Sequence, residues 1–285
     1  MPRRIGFALG GGGGRGSAHI GALIELERLG IRPDLITGTS IGGLLGALYA
    51  AGLDAAHLTE FFHQLQVEKL YALPGSSASL AHNNKLEKLL EESIGRLHFK
   101  DLSISLAVTA TDLRRRKLVV LDEGDLISAI LATTALPIVL PPVLRDGLVL
   151  VDGGLLNNVP FDVAYARGAT HVLAVDLSNA APYGAMGETP PAGRIARFWQ
   201  TTRLFGTWQV LNAIVDIVTE QSLQTRLALT EPDLLIRPFI DTIGILDFHR
   251  LEDGIAAGRT AVQALEETLT TLFPPPPDSA ETSGT

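Results

Sequence analysis

Short apolar runs alternate along the chain with segments whose apolar residues recur every three or four positions. Residues 5–9 form the first apolar run. After a glycine-rich loop, Ile20, Leu23 and Ile24 have the spacing of one helix face. Apolar runs of about five residues predict buried strands, whereas the longer spacing predicts helices. Because the two kinds of segment alternate, the pattern predicts βαβ units in an α/β fold with a mostly parallel central sheet.

The same alternation continues through the rest of the chain. It predicts strands at 34–37, 104–110, 117–121 and 171–175, helices at 41–51, 126–133 and 195–229, and helices over 54–96 around a polar loop at 74–84. Residues 143–151 predict a hairpin, because the pair Asp146-Gly147 favours a tight type I′ turn.

Composition divides the chain into four segments of one expected domain. These are the core of the domain (5–177), a flexible loop rich in Ala, Pro and Gly (178–193), a C-terminal helical part (194–273) and a disordered tail (274–285). The helical part has apolar residues on roughly one face, a pattern typical of core packing and also of a lid or a lipid-facing surface. These residues are Phe198, Phe205, Trp208, Leu211, Val215 and Val218. The loop at 74–84 is a second candidate lid.

The composition also narrows the classes of function. The 285 residues are 46% hydrophobic, and their formal net charge of -8 argues against a nucleic-acid partner. The absence of cysteine excludes disulfides, thiolate catalysis and zinc sites built on cysteine.

The apolar run after the basic start is too short for a signal peptide, and no stretch is long enough to span a bilayer. We therefore expect a cytoplasmic protein, with peripheral contact to a membrane surface through apolar residues; the oligomeric state is open.

Residues Gly38-Thr39-Ser40-Ile41-Gly42 match the G-x-S-x-G pattern of a nucleophile elbow. The five letters alone are a weak signal, because Ser, Thr and Gly are common in loops. Here, however, a predicted strand precedes the motif and a predicted helix follows it. A serine in such a turn projects at the positive end of the helix, which favours developing negative charge. The context therefore predicts Ser40 as a nucleophile.

A loop of glycines, from Gly10 to Gly16, joins the first strand to the first helix. Backbone N–H groups in such a loop can stabilise the oxyanion that forms during acyl transfer. The predicted donors are Gly11, Gly12 and Gly13, with the N–H of Ile41 as a helper. Arg15 either balances charge near the site or braces the loop.

Two nucleotide-binding motifs compete for the same loop. It matches the dinucleotide fingerprint G-x-G-x-x-G, which also needs an acidic residue at the end of the second strand. Asp34 stands at the start of that strand instead, and Arg15-Gly16-Ser17 has the wrong order for a P-loop. Nucleotide binding therefore stays an alternative with one requirement unmet.

A serine nucleophile needs a proton acceptor, for which histidine is the usual residue. None of the seven histidines stands in a context that marks it as a triad member. His19 lies in a predicted helix and His171 begins a predicted strand, so both are expected to be structural. A triad that uses His249 stays open.

Asp152 is the alternative base, because it directly follows the apolar run 148–151 and so ends a predicted strand. In open α/β sheets, functional sites gather at the carboxyl ends of strands. Gly153 and Gly154 leave space beside the carboxylate. A turn-forming Asp-Gly pair explains the same residues equally well. Asp176, at the end of the next strand, is the reserve candidate.

Taken together, these motifs resemble the patatin-like phospholipase family. Three elements occur in the order of that family, and a weaker similarity continues through 235–238 and 246–248. The glycine-rich oxyanion motif of the family corresponds to Gly11–Gly16, which includes Gly14, Arg15 and Gly16. Its nucleophile elbow corresponds to Gly38–Gly42, with Gly38 and Gly42 around Ser40. The motif with the catalytic aspartate corresponds to Asp152, Gly153 and Gly154. Residues 135–143 and 157–160 also resemble bacterial members.

The resemblance implies a three-layer α/β/α fold and a Ser40–Asp152 dyad without histidine. It implies hydrolysis of acyl esters of lipids, without a metal or another cofactor, and so a lipid or acyl-ester substrate as partner. Two alternatives from other classes stay open, a nucleotide-binding protein and a catalytically silent scaffold on the same fold.

Overall fold

Strands and helices alternate in the structure as the hydrophobic pattern predicts. The computed structural model describes residues 3–67, 78–137, 139–178 and 203–274. The strands are β1 (Ile5–Leu9), β2 (Leu35–Thr39), β3 (Ser105–Asp112), β4 (Lys117–Leu121), β5 (Val143–Arg145), β6 (Leu148–Asp152), β7 (His171–Val175) and β8 (Leu234–Ile236). The helices are α1 (Ser17–Arg28), α2 (Ile41–Ala50), α3 (Ala55–Val67), α4 (Ala78–Ile94), α5 (Leu126–Thr133), α6 (Phe161–Ala166), α7 (Arg203–Leu227), α8 (Leu251–Gln263) and α9 (Glu266–Leu272).

The strands form one sheet in the order β5-β6-β3-β2-β1-β7-β8, and β4 pairs with β3 outside this order. Strands β1, β2, β3, β7 and β8 run parallel to one another. Strands β4, β5 and β6 pair in antiparallel fashion. The prediction of a mostly parallel central sheet is confirmed.

Each face of the sheet has its own apolar core. In β1, the side chains of Phe7 and Leu9 belong to one core, whereas Ala8 between them belongs to the other. This alternation follows from the two-residue period of a strand. Helices α1, α2, α3 and α5 contribute to the first core, while α6 and Leu223 of α7 contribute to the second. The fold therefore has the three α/β/α layers that the family resemblance implies.

The predicted hairpin is present, and it determines the position of Asp152. Asp146 and Gly147 have φ angles of 50° and 74°, as a type I′ turn requires. Strand β3 is longer than β2, and it pairs with β2 up to Thr109 and with β6 from Ala110 onwards. Since β6 is antiparallel to β3, its last residue, Asp152, lies level with the end of β2. The register thus brings Asp152 close to the turn that follows β2.

Of three further predicted elements, two need correction and one is confirmed over its described residues. Of the polar loop predicted at 74–84, residues 78–84 form the first turns of α4, because the helix buries Leu86 and Leu90 further along; residues 68–77 lie outside the described part. Residues 203–227 of the helix predicted at 195–229 are helical, and 195–202 lie outside the described part. The C-terminal part, predicted as helical, also contributes strand β8, which is too short to show a period in the sequence.

The apolar face predicted for the long helix can be tested at one residue. Val218 is 39% exposed, so it does not pack in the core. The other five side chains of that face lie outside the described part of the structure. In the described ranges, every helix is too short or too polar to cross a bilayer. The division into four segments, including the flexible loop and the tail, stays a prediction.

Candidate active site

Ser40 occupies the sharp turn between β2 and α2. Its φ of 54° and ψ of -126° lie in a region that non-glycine residues rarely adopt, which costs about 1–3 kcal/mol. The hydroxyl of Thr133 stabilises this turn by accepting the Ser40 N–H at 2.9 Å. Gly42 is required because a Cβ there would overlap with the carbonyl oxygens of Leu9 and Gly10. The strained turn projects the Ser40 side chain away from the strand, as an elbow does.

Asp152 lies beside Ser40 and is buried, with 4% of the residue exposed. Its carboxylate accepts a hydrogen bond from the Gly154 N–H at 2.8 Å, and the Ser40 side chain lies close enough to the carboxylate to lower its pKa. Burial raises the pKa of Asp152 from 3.8 to about 6, and these two neighbours only partly oppose the effect. A Cβ at Gly153 would overlap with Thr109, so this glycine lets the chain turn directly after Asp152.

The glycine loop runs past Ser40, but its N–H groups are not equivalent. The Gly11 N–H donates to the carbonyl oxygen of Asn158 at 3.1 Å, so the structure does not offer it to a ligand as predicted. Gly12 is the N-cap and Gly13 the first residue of the 3₁₀ turn at Gly13–Gly16, where N–H groups have no partner within the turn. Within the described residues, neither N–H makes a hydrogen bond to the rest of the chain.

The N–H of Ile41 is the remaining predicted donor. Ile41 is the first residue of α2, so its N–H has no carbonyl partner within the helix. The Ser40 N–H next to it is engaged by Thr133. Ile41 therefore lies where the prediction places a helper donor, at the positive end of α2.

Asn158 connects the glycine loop to the segment that follows Asp152, a role that the sequence did not reveal. Its carbonyl oxygen accepts the Gly11 N–H, and its Nδ2 donates to the Gly11 carbonyl oxygen at 3.3 Å. The neighbouring Asn157 carbonyl accepts the Thr39 hydroxyl at 2.8 Å, which attaches the same segment to β2. The predicted nucleophile, the predicted base and the glycine loop thus lie on segments joined by hydrogen bonds.

Arg15 braces the glycine loop from the inside. It is 1% exposed, its Nε donates to the Ile243 carbonyl at 2.8 Å, and its Nη1 donates to the Leu177 carbonyl at 3.4 Å. Nη1 also lies 3.5 Å from Oδ1 of Asp216 on α7. Of the two predicted roles for Arg15, these contacts favour bracing.

A cavity opens in front of Ser40. Its walls come from the glycine loop, the segment after α5, the segment after β6, and helix α7. Its lining residues are Gly11, Gly12, Gly13, Arg15, Ser40, Thr134, Leu136, Pro137, Asp152, Gly154, Leu155, Asn158, Leu177, Ser178, Asp216, Thr219 and Ile245. The cavity therefore combines the predicted nucleophile, base and oxyanion donors with apolar side chains.

The other candidate bases lie elsewhere. Among the described residues, no histidine lines the cavity. His249 is 64% exposed beside Asp247. His19 is buried and donates from Nε2 to the Gly10 carbonyl at 2.7 Å; burial lowers its pKa to about 4, so it is neutral and structural. Asp176 binds Arg237 at 2.9 Å and accepts the Ser178 N–H and hydroxyl, which leaves it as a structural acid.

Comparison with known proteins assigns the chain to a family. A family model described as patatin-like phospholipase matches residues 7–165, which is more than half of the chain. The chain belongs to the patatin-like phospholipase family. The match includes Ser40, Asp152 and the glycine loop, and it ends within α6.

Relatives of this patatin-like chain include larger proteins. Lysophospholipase NTE1 of Coccidioides immitis is 29% identical over 272 residues, which cover 88% of this chain and 17% of that protein. An uncharacterised NTE family protein of Mycobacterium tuberculosis is 29% identical over 276 residues, which cover 92% of this chain and 46% of that protein. The chain thus spans less than half the length of these relatives.

A solved structure gives the same fold. The crystal structure of VipD from Legionella pneumophila matches with a TM-score of 0.54 over 94% of this chain and 67% of that one. The two sequences are 14% identical, so this likeness concerns the architecture alone.

Proposed function

We propose that this chain is a serine acyl-ester hydrolase that acts on lysophospholipids, phospholipids or related lipid esters through a Ser40–Asp152 dyad. The observation that carries the proposal is the buried Asp152 carboxylate, which lines the same cavity as Ser40 on its strained elbow and lies close enough to Ser40 for that side chain to affect its pKa. An activated nucleophile is recognised by such contact between its hydroxyl and a base. Membrane-surface contact belongs to the same proposal, because lipid esters reside there.

The geometry supports a two-step mechanism. Asp152 takes the proton from Ser40 Oγ as that oxygen attacks the acyl carbonyl carbon. The carbonyl π electrons move to the oxygen, which accepts hydrogen bonds from the N–H groups of Gly12, Gly13 and Ile41. Collapse of the tetrahedral intermediate breaks the ester C–O bond, and the leaving alcohol takes the proton from Asp152. The product of this step is an acyl ester on Ser40.

The second step regenerates the enzyme. Asp152 removes a proton from water, whose oxygen attacks the acyl-enzyme carbonyl. The second tetrahedral intermediate expels Ser40 Oγ, which recovers its proton from Asp152 as the fatty acid leaves. The raised pKa of Asp152 suits both steps, because a carboxylate with a pKa of about 6 is a stronger base than an exposed one and is still ionised at neutral pH.

The lipid part of the proposal rests on the cavity walls and on the relatives. Leu136, Pro137, Leu155, Leu177 and Ile245 line the cavity around the dyad. Apolar walls beside a polar reacting centre suit an acyl chain. Relatives such as the Coccidioides immitis protein carry the name lysophospholipase.

The nucleotide-binding alternative gains no support from the structure. Asp34, the only acidic residue of the second-strand region that the fingerprint could use, accepts the Ile5 N–H at 2.7 Å through Oδ2. This contact lies at the start of β1 and β2, whereas the glycine loop follows the end of β1. Asp34 therefore lies at the amino-terminal ends of the parallel strands, whereas the glycine loop lies at their carboxyl-terminal ends.

A fluorophosphonate probe followed by peptide mass spectrometry tests the dyad. We expect an adduct on Ser40 in the wild type, none in Ser40→Ala, and labelling slowed by about 10²–10⁴ in Asp152→Asn, which keeps the shape of the base but removes its charge. Asp176→Asn is the matched control, because that acid also ends a strand but lies outside the cavity. Labelling of the wild type at another residue, or an Asp152→Asn protein labelled at the wild-type rate, would refute the proposal.

A further inference from the structure

Helix α7 presents one acidic side chain to the cavity. Asp216 lines the cavity wall, and its Oδ1 lies 3.5 Å from Nη1 of Arg15, with 21% of the Asp216 side chain and 2% of the Arg15 side chain exposed. The proposed mechanism uses neither residue. The role of this ion pair beside the reacting centre therefore lies outside the reaction steps themselves.

Arg15 needs an anionic partner because its guanidinium is almost fully buried. Burial lowers the pKa of Arg15, and Asp216 is the first of the acids that oppose this effect, followed by Asp241 and Asp247. A buried charge that loses its partner is strongly unfavourable. The other Arg15 contacts, to the carbonyls of Ile243 and Leu177, are neutral. Asp216 therefore supplies the principal direct charge compensation.

The position of the Arg15 side chain is coupled to the backbone of the glycine loop. Arg15 belongs to the 3₁₀ turn at Gly13–Gly16, and its own N–H donates to the Gly12 carbonyl at 3.2 Å. The two proposed oxyanion donors, Gly12 and Gly13, thus lie within three residues of the guanidinium-bearing residue. The backbone of Arg15 is thus part of the same turn as these N–H groups.

Helix α7 contacts the rest of the domain through several of its described side chains. In its second half, Ser222 donates to the Leu156 carbonyl at 2.7 Å, and Arg226 pairs with Asp162. Ile214 and Ile217, on either side of Asp216 in the sequence, are 51% and 62% exposed, so they do not anchor the helix. In this part of α7, the contact between Asp216 and Arg15 joins the helix to the glycine loop.

We infer that Asp216 is a positioning residue: through Arg15 it fixes the glycine loop, so that helix α7 and the oxyanion donors move as one unit. The inference rests on the proposed function for its effect on catalysis, although the coupling itself does not. When the pair is intact, the N–H groups of Gly12 and Gly13 are held toward the carbonyl that Ser40 attacks. When the pair is broken, the loop and the helix separate and the donors lose alignment.

The test compares Asp216→Asn with the wild type in ester hydrolysis and in fluorophosphonate labelling of Ser40. Loss of one oxyanion donor lowers kcat by about 10²–10³, so a misaligned loop should lower kcat and the labelling rate by about tenfold or more. We expect KM for a short p-nitrophenyl ester to change much less, because the apolar cavity walls stay in place. Asp216→Glu keeps the charge and should label faster than Asp216→Asn.

Hydrogen exchange of residues 10–16 gives a readout that needs no catalysis. We expect faster exchange of these amides in Asp216→Asn. Asp253→Asn is the matched control, because it breaks an exposed Asp–Arg pair, with Arg250, outside the cavity. It should leave both the exchange and the labelling unchanged.

The outcomes separate this inference from the proposed function. If the wild type itself gives no Ser40 adduct, the proposed function fails, and the exchange result still decides the coupling. If the wild type is labelled and Asp216→Asn is labelled at the same rate, the positioning role is refuted. A loss of labelling that only matches the fraction of unfolded protein, with unchanged exchange in the folded fraction, also refutes it.

Discussion

At the scale of single residues, the burial of Asp152 determines its protonation. A carboxylate beside hydrogen-bond donors would ordinarily have a lowered pKa. Here desolvation outweighs the effects of Ser40 and Gly154, and the pKa of Asp152 rises to about 6. The environment that raises the basicity of Asp152 therefore also makes its ionised form unfavourable in the folded protein.

The first prediction concerns the pH dependence of catalysis. We expect kcat/KM to fall about tenfold per pH unit below about 6, as Asp152 becomes protonated, and to be level above it. Steady-state hydrolysis of a water-soluble ester between about pH 4 and pH 8 measures this profile. An acid limb near 4 instead would mean that the base is not desolvated.

The second prediction concerns stability. A raised carboxyl pKa means that the folded state binds more protons than the unfolded state between pH 3.8 and about 6. Stability is therefore lost as pH rises through this window, by up to about 3 kcal/mol for the cited values. Asp152→Asn cannot ionise and should gain stability relative to the wild type at neutral pH but not near pH 4. Urea unfolding of both proteins at the two pH values measures the gain, and a pH-independent difference would contradict it.

Single residues also show what the sequence could predict. Ser40 and Asp152 stand in local motifs, so their positions followed from the letters around them. Thr133, Asn158 and Asp216 reach the site through contacts between segments that are distant in sequence. No local pattern marks such residues, because only the folded chain brings them together.

At the scale of elements, the elbow between β2 and α2 depends on a helix from elsewhere in the chain. Thr133 is the last residue of α5, and its hydroxyl satisfies the Ser40 N–H in the strained turn. The sequence identified the elbow from the alternation of strand and helix. It could not identify the support that keeps the serine in its strained conformation.

The third prediction follows from this support. Thr133→Val keeps the shape of the side chain but leaves the Ser40 N–H without its partner, which typically costs about 1–3 kcal/mol. We expect lower thermal stability and slower fluorophosphonate labelling of Ser40. Thr133→Ser retains the hydroxyl and serves as control. Equal labelling rates in the valine and serine variants would show that the hydrogen bond does not support the elbow.

At the element scale, the sequence argument for Asp152 rests on a rule that does not hold here. The argument places Asp152 near the site because parallel strands present functional residues at their carboxyl ends. Strand β6 is antiparallel, so this rule does not apply to it. Asp152 reaches Ser40 because the pairing of β6 with β3 is confined to the end of β3, beyond the residues of β3 that pair with β2. Strand direction depends on pairing between distant segments, which the hydrophobic pattern does not record.

At the scale of the whole molecule, the C-terminal part of the chain packs closely against its beginning. Helices α1 and α8 approach each other at glycines: a Cβ at Gly258 would overlap with the carbonyl oxygen of Ala18, and one at Gly21 with that of Ile255. Buried Glu25 of α1 binds Arg259 of α8 at 2.8 Å. This contact holds the first helix, and with it the adjoining glycine loop, against the C-terminal part.

The fourth prediction tests this contact. Gly258→Ala gains up to about 1 kcal/mol of helix propensity. Separation of the two helix backbones should cost more than this, about 1–3 kcal/mol or above, because the overlap involves a main-chain carbonyl. We therefore expect a net loss of stability in urea unfolding. Thr260→Ala changes an exposed position of α8 and should stay within about 0.5 kcal/mol of the wild type; a stabilised Gly258→Ala would contradict the close approach.

The pairing of β3 with both β2 and β6 has a consequence for how the protein can diversify. In β3, Thr109 pairs with Thr39 and the next residue, Ala110, pairs with Asp152. The distance between Ser40, which follows Thr39, and Asp152 therefore depends on the register along this one strand. The segments between α2 and β3, between β4 and α5 and between α5 and β5 do not set this spacing. Insertions or deletions there can reshape the cavity entrance while the distance between Ser40 and Asp152 stays constant. One added residue within β3, in contrast, would offset the two partners by about 3.3 Å and turn alternate side chains to the wrong face.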